Sequence, residues 1–291
     1  MDKQAKGTAW ETIIRPRRGW FDIDLKDLFR YRDLILLMVK RNFTVLYKQT
    51  ILGPAWVVVQ PLLTTFVFTI VFGAIAGLPT DGIPKPLFYL GGSVCWNYFS
   101  NCLVNTSNTF VRNSDLFGKV YFPRLCVPIS VVVTELINFA VQFLLFLILI
   151  GAYSLHRGHW VVHPNWQLMA LVPLLLIQLG VLGLGCGIIV SAMTTRYRDL
   201  AMLVSFGVHL WMYYSPITYS TSLVMERYPH MMGVYMINPI TPIIELFRAA
   251  FLGTKVYSYG YNLQSVCFTV IVLVLGVVLF SRVEKTFMDT V

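Results

Sequence analysis

The chain has 291 residues, of which 56% are hydrophobic and 13% are charged, and its formal net charge is +9. Soluble domains carry about 25% charged residues, so this composition leaves too little polar surface for a water-soluble enzyme. It also excludes intrinsic disorder, because disordered chains are poor in apolar residues. The positive charge is compatible with a nucleic-acid partner or with a membrane protein, and its placement along the chain distinguishes the two.

Long stretches without charged residues define the predicted membrane helices. Six stretches contain no Asp, Glu, Lys or Arg: 49–80, 86–111, 136–156, 158–195, 200–225 and 256–281. A membrane-spanning helix needs about 20 predominantly apolar residues, and each stretch holds one such helix. The sequence therefore predicts an all-α integral membrane protein with six transmembrane helices. The third helix begins near Leu125, which brings Glu135 into the membrane.

The positive charges are unevenly distributed between the two sides of this predicted topology. The segments that hold 18 of the 23 Lys and Arg residues all lie on one side: 1–50, 111–125, 195–200 and 282–291. Because cytoplasmic loops of membrane proteins carry an excess of Lys and Arg, we expect both termini in the cytoplasm. The net charge is then an orientation signal, and a nucleic-acid partner is not expected. The first 33 residues contain no apolar signal-peptide region, so we expect the first span to direct insertion.

The N-terminal part divides into two predicted segments. Residues 1–23 are polar and are predicted to form a cytoplasmic lead. In residues 24–50 apolar side chains recur every three or four positions with Lys and Arg between them, which predicts a basic amphipathic helix. Such helices lie in the membrane interface, and packing against another part of the protein is the alternative. Leu52, Gly53 and Pro54 then predict a sharp corner into a six-span domain, 51–291.

The second span carries one continuous polar stripe. Its members recur at steps of four, four, four and three residues: Ser93, Asn97, Asn101, Asn105 and Asn108. This spacing places them on one face of a helix. The stripe either forms interhelical hydrogen bonds or lines a hydrophilic path through the membrane. Aromatic residues near the same level of spans two and five, including Trp96, Tyr213 and Tyr214, form an interfacial belt or stack on sugar rings.

Small residues and helix-end signals mark the later part of the chain. In the fourth span Gly180, Gly183 and Gly187 predict close helix packing, and Gly73 and Gly77 repeat that spacing in the first. Residues 222–260 are predicted to form an outer re-entrant hairpin. There Asn238 and Pro239 indicate a helix start, the apolar run 240–251 is too short to span a membrane, and Gly253 indicates the helix end.

The sequence offers no catalytic site. It contains no G-x-x-x-x-G-K-[ST] phosphate loop, no plausible nucleophile–base pair and no paired carboxylates. Its five cysteines form no C-x-x-C pair, and no metal site is predicted. We therefore expect a transport subunit rather than an enzyme, with no cofactor bound by this chain. If ATP drives its work, ATP and Mg bind to a separate subunit.

Three motifs in this order resemble the permease subunits of polysaccharide-exporting ABC transporters, which export O-antigen, capsule and teichoic acid. The first is YKQTILGPAW at 47–56 followed by Gln60 and Pro61, and the second is FGKVYFPR at 117–124. The third is Asn238-Pro239 with Glu245, Arg248 and Gly253. The resemblance covers residues 22–285.

The resemblance implies a homodimer in the bacterial inner membrane, paired with an ATP-binding-cassette ATPase subunit. The implied substrate is a polysaccharide linked to undecaprenyl pyrophosphate, such as O-antigen. The amphipathic interface helix and a cytoplasmic coupling loop at about 111–124 would receive the ATPase movement, the loop through Arg112, Asp115, Phe117, Gly118 and Lys119. The lipid-linked glycan would enter near Arg41, Tyr47, Lys48, Leu52 and Gly53. An exporter of teichoic acid, capsule, drug or simple lipid, a membrane enzyme acting on lipid-linked sugars and a channel remain alternatives.

Overall fold

The computed structural model describes residues 25–48, 50–109, 113, 122–158, 162–194 and 199–290, without the side chains of 25–27, 46, 47 and 283–290. Within these ranges the chain forms helices and no strand. The prediction of an all-α fold is confirmed there. The predicted lead, 1–23, lies outside the described residues.

Helices account for most of the described chain. We number the α-helices in order as α1 (Leu25–Arg30), α2 (Arg32–Tyr47), α3 (Trp56–Phe68), α4 (Lys85–Ser107), α5 (Cys126–Arg157), α6 (Trp166–Met169), α7 (Val172–Thr194), α8 (Leu200–Tyr214), α9 (Thr221–Arg227), α10 (Met232–Tyr235), α11 (Ile240–Leu252) and α12 (Tyr259–Thr290). A 3-10 turn at Gly53–Ala55 precedes α3, and a π-helical segment at Thr69–Ile75 continues it.

Among the described residues, four helical segments are long and apolar enough to cross a membrane: Gly53–Ile75, Cys126–Arg157, Val172–Thr194 and Tyr259–Arg282. Helix α4 is also 23 residues long, but its asparagines lower its hydropathy. Helix α8 is apolar and has 15 residues. The structure therefore shows a helical protein with several membrane-spanning segments, and the count of six stays a prediction.

Helix α4 lies at the centre of the bundle, where it packs against α3, α5, α7 and α11. The contact with α7 is close because glycines of α7 face α4. A Cβ atom added to Gly183 would lie 2.6 Å from the Cys102 Cβ atom, and one added to Gly187 would lie 2.5 Å from the Thr106 Cβ atom. The predicted close packing of the fourth span is confirmed.

In the first span the prediction of close packing is right for Gly73 and wrong for Gly77. A Cβ atom on Gly73 would lie 2.7 Å from the Cδ atom of Lys85, whose ammonium donates to the Gly73 carbonyl oxygen. Gly77 instead has open space around it and a φ angle of +64°. The prediction of close packing is therefore wrong for Gly77, which serves a turn that only glycine adopts easily.

The predicted amphipathic helix is present as α1 and α2, separated at Tyr31. Met38 and Val39 are buried, and the buried face of α2 joins an apolar cluster with Cys126, Ile188 and Phe280. Packing against the rest of the protein, the alternative stated above, is thus observed. The predicted corner is confirmed as well, since Gly53 has a φ angle of +52° at the start of a 3-10 turn.

Candidate functional site

The polar stripe of α4 faces a second polar row on α5. The Asn97 amide donates to Gln142 Oε1 at 3.2 Å, and the Asn105 amide donates to Glu135 Oε1 at 2.9 Å. The Asn138 amide donates to Glu135 Oε2 at 3.0 Å. Glu135 is buried, so these amides supply the partners that a carboxyl group within an apolar helix requires.

We call these residues, together with Asn101, the amide cluster: Asn97, Asn101 and Asn105 of α4 with Glu135, Asn138 and Gln142 of α5. Asn101 lies beside the Glu135 carboxyl group. The sequence prediction missed Asn138 and Gln142. The signal was present, because positions 135, 138 and 142 have the three- and four-residue spacing of one helical face.

The two ends of the predicted stripe do not join the amide cluster. Ser93 is buried, and its hydroxyl has no hydrogen-bond partner among the described residues. The Asn108 amide donates to the Val104 carbonyl of its own helix at 2.9 Å. The stripe therefore forms interhelical hydrogen bonds in its middle part, as one of the two predicted alternatives states.

The amide cluster is not fully enclosed by this chain. Asn101 is exposed, and Asn97 and Asn105 are half-buried. An amide exposed within an apolar segment needs water or another polar partner, because lipid offers it none. One edge of the cluster is thus available to a second chain or to a hydrophilic path.

The aromatic residues of the predicted path divide into two groups. Trp96 is buried and packs against Phe99 and Trp211, with ring centroids 5.6 Å and 6.3 Å away. Tyr213 and Tyr214 are exposed, and the Tyr214 hydroxyl donates to the Val234 carbonyl at 2.9 Å. Of the three aromatic residues predicted to line the path, Tyr213 and Tyr214 present accessible rings and Trp96 does not.

The segment predicted as an outer hairpin contains a helix that is buried along its whole length. Every residue of α11 is buried, including Arg248 at 0% exposure. Arg248 Nη1 lies 3.4 Å from Glu245 Oε1, and the Thr221 hydroxyl donates to the same oxygen at 2.7 Å. Arg248 Nη2 donates to the carbonyls of Phe88 and Ile217 at 3.2 Å and 3.3 Å. Glu245 and Arg248 therefore fix α11 to α4 and α9.

Burial and pairing shift the pKa values of Glu245 and Arg248 in opposite directions. Burial raises the pKa of Glu245 and lowers the pKa of Arg248, because both charged forms lose hydration. The charge of each residue opposes the shift of the other. The pair is therefore stable only as a unit, and removal of one partner leaves a buried charge.

Asn238 and Gly253 bound α11 as the sequence predicts. Asn238 Oδ1 accepts from the backbone N–H of Ile240 at 3.2 Å and from Trp211 Nε1 at 3.1 Å. Gly253 has a φ angle of +77°, and a Cβ atom there would lie 2.5 Å from the His163 carbonyl oxygen. Pro239 occupies the turn before the helix, and its carbonyl oxygen accepts from the Ser265 hydroxyl.

The sequence did not predict a contact between Asp81 and the start of α9. The hydroxyls of Ser220 and Ser222 both donate to the Asp81 carboxylate, the second at 2.7 Å. Asp81 lies in the loop between the first span and α4, so this contact joins that loop to the start of α9. The spacing of 139 residues gives no signal in the sequence.

The residues predicted to meet the substrate lie in the second half of α2 and at the corner that leads into the first span. Lys48 and Leu52 are exposed, and Arg41 is half-buried, with its Nη2 donating to Asn113 Oδ1 at 3.1 Å. Gly53 forms the corner described above. The side chain of Tyr47 lies outside the described residues, as do the predicted coupling residues Arg112, Asp115, Phe117, Gly118 and Lys119.

A sequence model of the ABC-2 type transporter family matches residues 33–252, which is most of the chain. The chain belongs to the ABC-2 type transporter family. It is 29% identical over 228 residues to the O-antigen export system permease protein RfbA of Myxococcus xanthus, covering 78% of this chain and 83% of the relative.

Two other relatives extend the comparison. An O-antigen export system permease protein RfbA of Klebsiella pneumoniae is 27% identical over 261 residues, or 88% of this chain and 94% of the relative. The capsule polysaccharide export inner-membrane protein CtrC of Neisseria meningitidis is 22% identical over 271 residues, or 90% and 95%. The predicted resemblance to exporter permeases is confirmed, as is a multi-pass location in the bacterial inner membrane.

Proposed function

We propose that this chain is the transmembrane subunit of an ABC exporter that moves a lipid-linked polysaccharide, such as O-antigen on undecaprenyl pyrophosphate, out of the cytoplasm. The observation that carries the proposal is its similarity over most of its length to permeases named for O-antigen and capsule export. Relatives of both kinds match, so the proposal covers the class of substrate and leaves the glycan open. ATP and Mg bind to a separate ATP-binding-cassette subunit, and this chain is a transport subunit without a catalytic site.

The proposed topology has six spans, with both termini in the cytoplasm. Helix α4 and helix α8 supply the two spans beyond the four apolar segments. The start of α5 and the late parts of α7 and α12 share one apolar cluster with α2, through Cys126, Ile188 and Phe280. This arrangement supports the placement of these helix ends on the same side of the membrane. The positive charges assign that side to the cytoplasm. The buried helix α11 then belongs to a re-entrant hairpin on the outer side.

The proposed translocation path runs along the exposed edge of the amide cluster in a homodimer. Asn101 is exposed in the single chain, which supports an environment of water, sugar hydroxyls or a second copy rather than lipid. Tyr213 and Tyr214 supply accessible rings for the flat faces of sugars. Glu135 is enclosed by amides and serves the contact between α4 and α5.

The cytoplasmic end is proposed to receive both the substrate and the movement of the ATPase. Arg41, Lys48, Arg112 and Lys119 are cationic and attract a pyrophosphate group. Arg112, Asp115, Phe117, Gly118 and Lys119 form the proposed contact with the ATPase. Leu52 and Gly53 stand at the corner between α2 and the first span, where the lipid-linked glycan would enter with Tyr47 at its side.

Deletion of the chain tests the proposed function in the bacterium that encodes it. We expect a lipid-linked glycan to accumulate in the cytoplasmic leaflet, and re-expression of the chain to remove it. Co-purification of the tagged chain should recover an ATP-binding-cassette subunit. A normal surface glycan after deletion, or turnover of lipid-linked sugars by the purified chain alone, would contradict the proposal.

A further inference from the structure

Two adjacent residues of α2 contact the α4–α5 connection and the start of α5. Arg41 Nη2 donates to Asn113 Oδ1 at 3.1 Å, and Asn113 lies six residues after Ser107, the last residue of α4. The Asn42 amide donates to the Ser130 hydroxyl at 3.4 Å, in the early part of α5. We call these four residues the α2 bridge.

The contacts of the α2 bridge are connected to one another and to the helix ends. Arg41 Nη2 also donates to Asn42 Oδ1 at 3.2 Å, which joins the two halves of the bridge. The backbone N–H and the side-chain amide of Asn113 both donate to the Thr109 carbonyl, at 3.2 Å and 3.0 Å. The Ser130 hydroxyl donates to the Val127 carbonyl at 2.7 Å. A continuous hydrogen-bonded chain therefore runs from Thr109, two residues after the end of α4, through α2 to α5.

Apolar packing beside the α2 bridge fixes the same elements. Met38 is buried one turn before Asn42 and joins the cluster that contains Cys126 and Val127 of α5. Arg41 and Asn42 are themselves half-buried, so their hydrogen bonds are partly protected from competing water. An axial shift of α2 would thus have to break polar and apolar contacts with α5 together.

We propose that Arg41 and Asn42 are positioning residues that make α2, Asn113 of the α4–α5 connection and the start of α5 move as one body. This inference rests on the proposed function, in which that connection receives the movement of the ATPase. Arg41 then acts through Asn113 and transmits movement to α2. If Arg41 instead acts only as a cation that attracts the substrate pyrophosphate, the experiment must give a different result.

A matched pair of substitutions at Asn113 isolates the acceptor oxygen. Asn113→Asp keeps an oxygen that accepts from Arg41, whereas Asn113→Leu has nearly the same size and no acceptor. Lys40→Ala is the control for charge, because Lys40 is an exposed cation on the same helix. Arg41→Ala and the double variant Arg41→Ala/Asn113→Leu complete a double-mutant cycle.

The measurement uses the full chain with its co-purified ATPase subunit in proteoliposomes that contain the lipid-linked glycan recovered from the deletion strain. We expect Arg41→Ala and Asn113→Leu each to lower the amount of glycan exported per ATP hydrolysed by about tenfold, the effect of losing one charge-assisted hydrogen bond. The double variant should be no worse than either single variant. Asn113→Asp keeps the acceptor for Arg41 and loses the amide donor to the Thr109 carbonyl, so it should export clearly more than Asn113→Leu. Lys40→Ala should export as the wild-type chain does.

Several results would overturn the inference. Additive losses in the double variant would show that Arg41 acts on another partner, such as the pyrophosphate. Equal export by Asn113→Leu and the wild-type chain, or an equal loss in Lys40→Ala, would also contradict it. If the wild-type chain itself exports no glycan, the proposed function fails, and that result is distinct from a failure of the bridge alone.

A cross-linking experiment covers variants that fold poorly. Cysteines at positions 41 and 113 joined by a short bifunctional thiol reagent should keep export coupled to ATP hydrolysis, because the covalent link replaces the hydrogen bond. The two single-cysteine variants control for the five native cysteines. Loss of export on cross-linking, reversed by a cleavable reagent, would show that α2 and the α4–α5 connection must separate, and would refute the inference.

Discussion

The guanidinium carbon of Arg248 lies 3.6 Å from the centre of the Phe88 ring, and the Arg248 side chain is fully buried between α11 and α4. Gly92 makes this approach possible, since a Cβ atom there would lie 2.5 Å from Arg248 Nη2. This cation lies on an aromatic face, pairs with Glu245 through Nη1 and donates to two carbonyls through Nη2, while its buried Nε has no hydrogen-bond partner among the described residues. This contact fixes α11 to α4, the central helix of the bundle.

The first prediction concerns the buried ion pair. Arg248→Met should lower stability by about 3–5 kcal/mol, because it leaves the Glu245 charge buried without its partner. The double variant Glu245→Leu/Arg248→Met should recover a large part of that loss. Thermal unfolding of the purified complex in detergent measures both. Equal melting temperatures for Arg248→Met and the wild-type chain would show that the pair does not hold α11.

The second prediction separates the two roles of the amide cluster. Asn105→Leu should lower the melting temperature, because it removes a hydrogen bond to the buried Glu135. Asn101→Leu should lower the melting temperature less than Asn105→Leu and reduce glycan export more, because Asn101 lies beside Glu135 but is exposed at the edge of the cluster. The pair forms its own control. Normal export by a stable Asn101→Leu chain would restrict the cluster to a structural role.

The third prediction concerns the interface between α4 and α7. Gly183→Ala places a methyl group 2.6 Å from the Cys102 Cβ atom and 2.9 Å from the Phe99 carbonyl oxygen, so the helices must move apart. We expect a loss of about 1–3 kcal/mol of stability, as for other overpacked positions. Gly207→Ala is the matched control, since nothing lies within 4 Å of its added methyl. Equal stability of the two variants would contradict the close interface.

The sequence was informative where a property is local. Among the described residues, each of the four helical segments that are long and apolar enough to span a membrane overlaps a charge-free stretch. Asn238 and Gly253 marked the ends of α11, because a capping amide and a positive φ angle depend on nearby residues. The three central asparagines of α4 were correctly placed on one face. Their partners were missed, because one polar face does not reveal which helix it meets.

Long-range pairings explain most of what the sequence did not predict. Asp81 contacts Ser220 and Ser222 across about 140 positions, and Arg248 contacts carbonyls of Phe88 and Ile217. Neither pairing has a spacing rule that a single sequence could show. The prediction of close packing at Gly77 was wrong for a different reason. Small residues at this spacing occur both in packed helices and at turns, so the spacing does not distinguish the two.

The fourth prediction concerns the proposed coupling loop. Charge reversal at Lys119 or Asp115 should reduce export while the chain still inserts and reaches wild-type levels in the membrane. The reason is that the proposed contact with the ATPase depends on these charges. Export assays together with membrane quantification check it, and normal export by both variants would remove the assignment.

The proposed export is tested most directly by ATP-dependent movement of the lipid-linked glycan into inverted membrane vesicles that contain this chain and its ATPase subunit. We expect glycan in the vesicle lumen only when the chain, the subunit and hydrolysable ATP are all present. Movement without ATP, or no movement with all three components present, would contradict it.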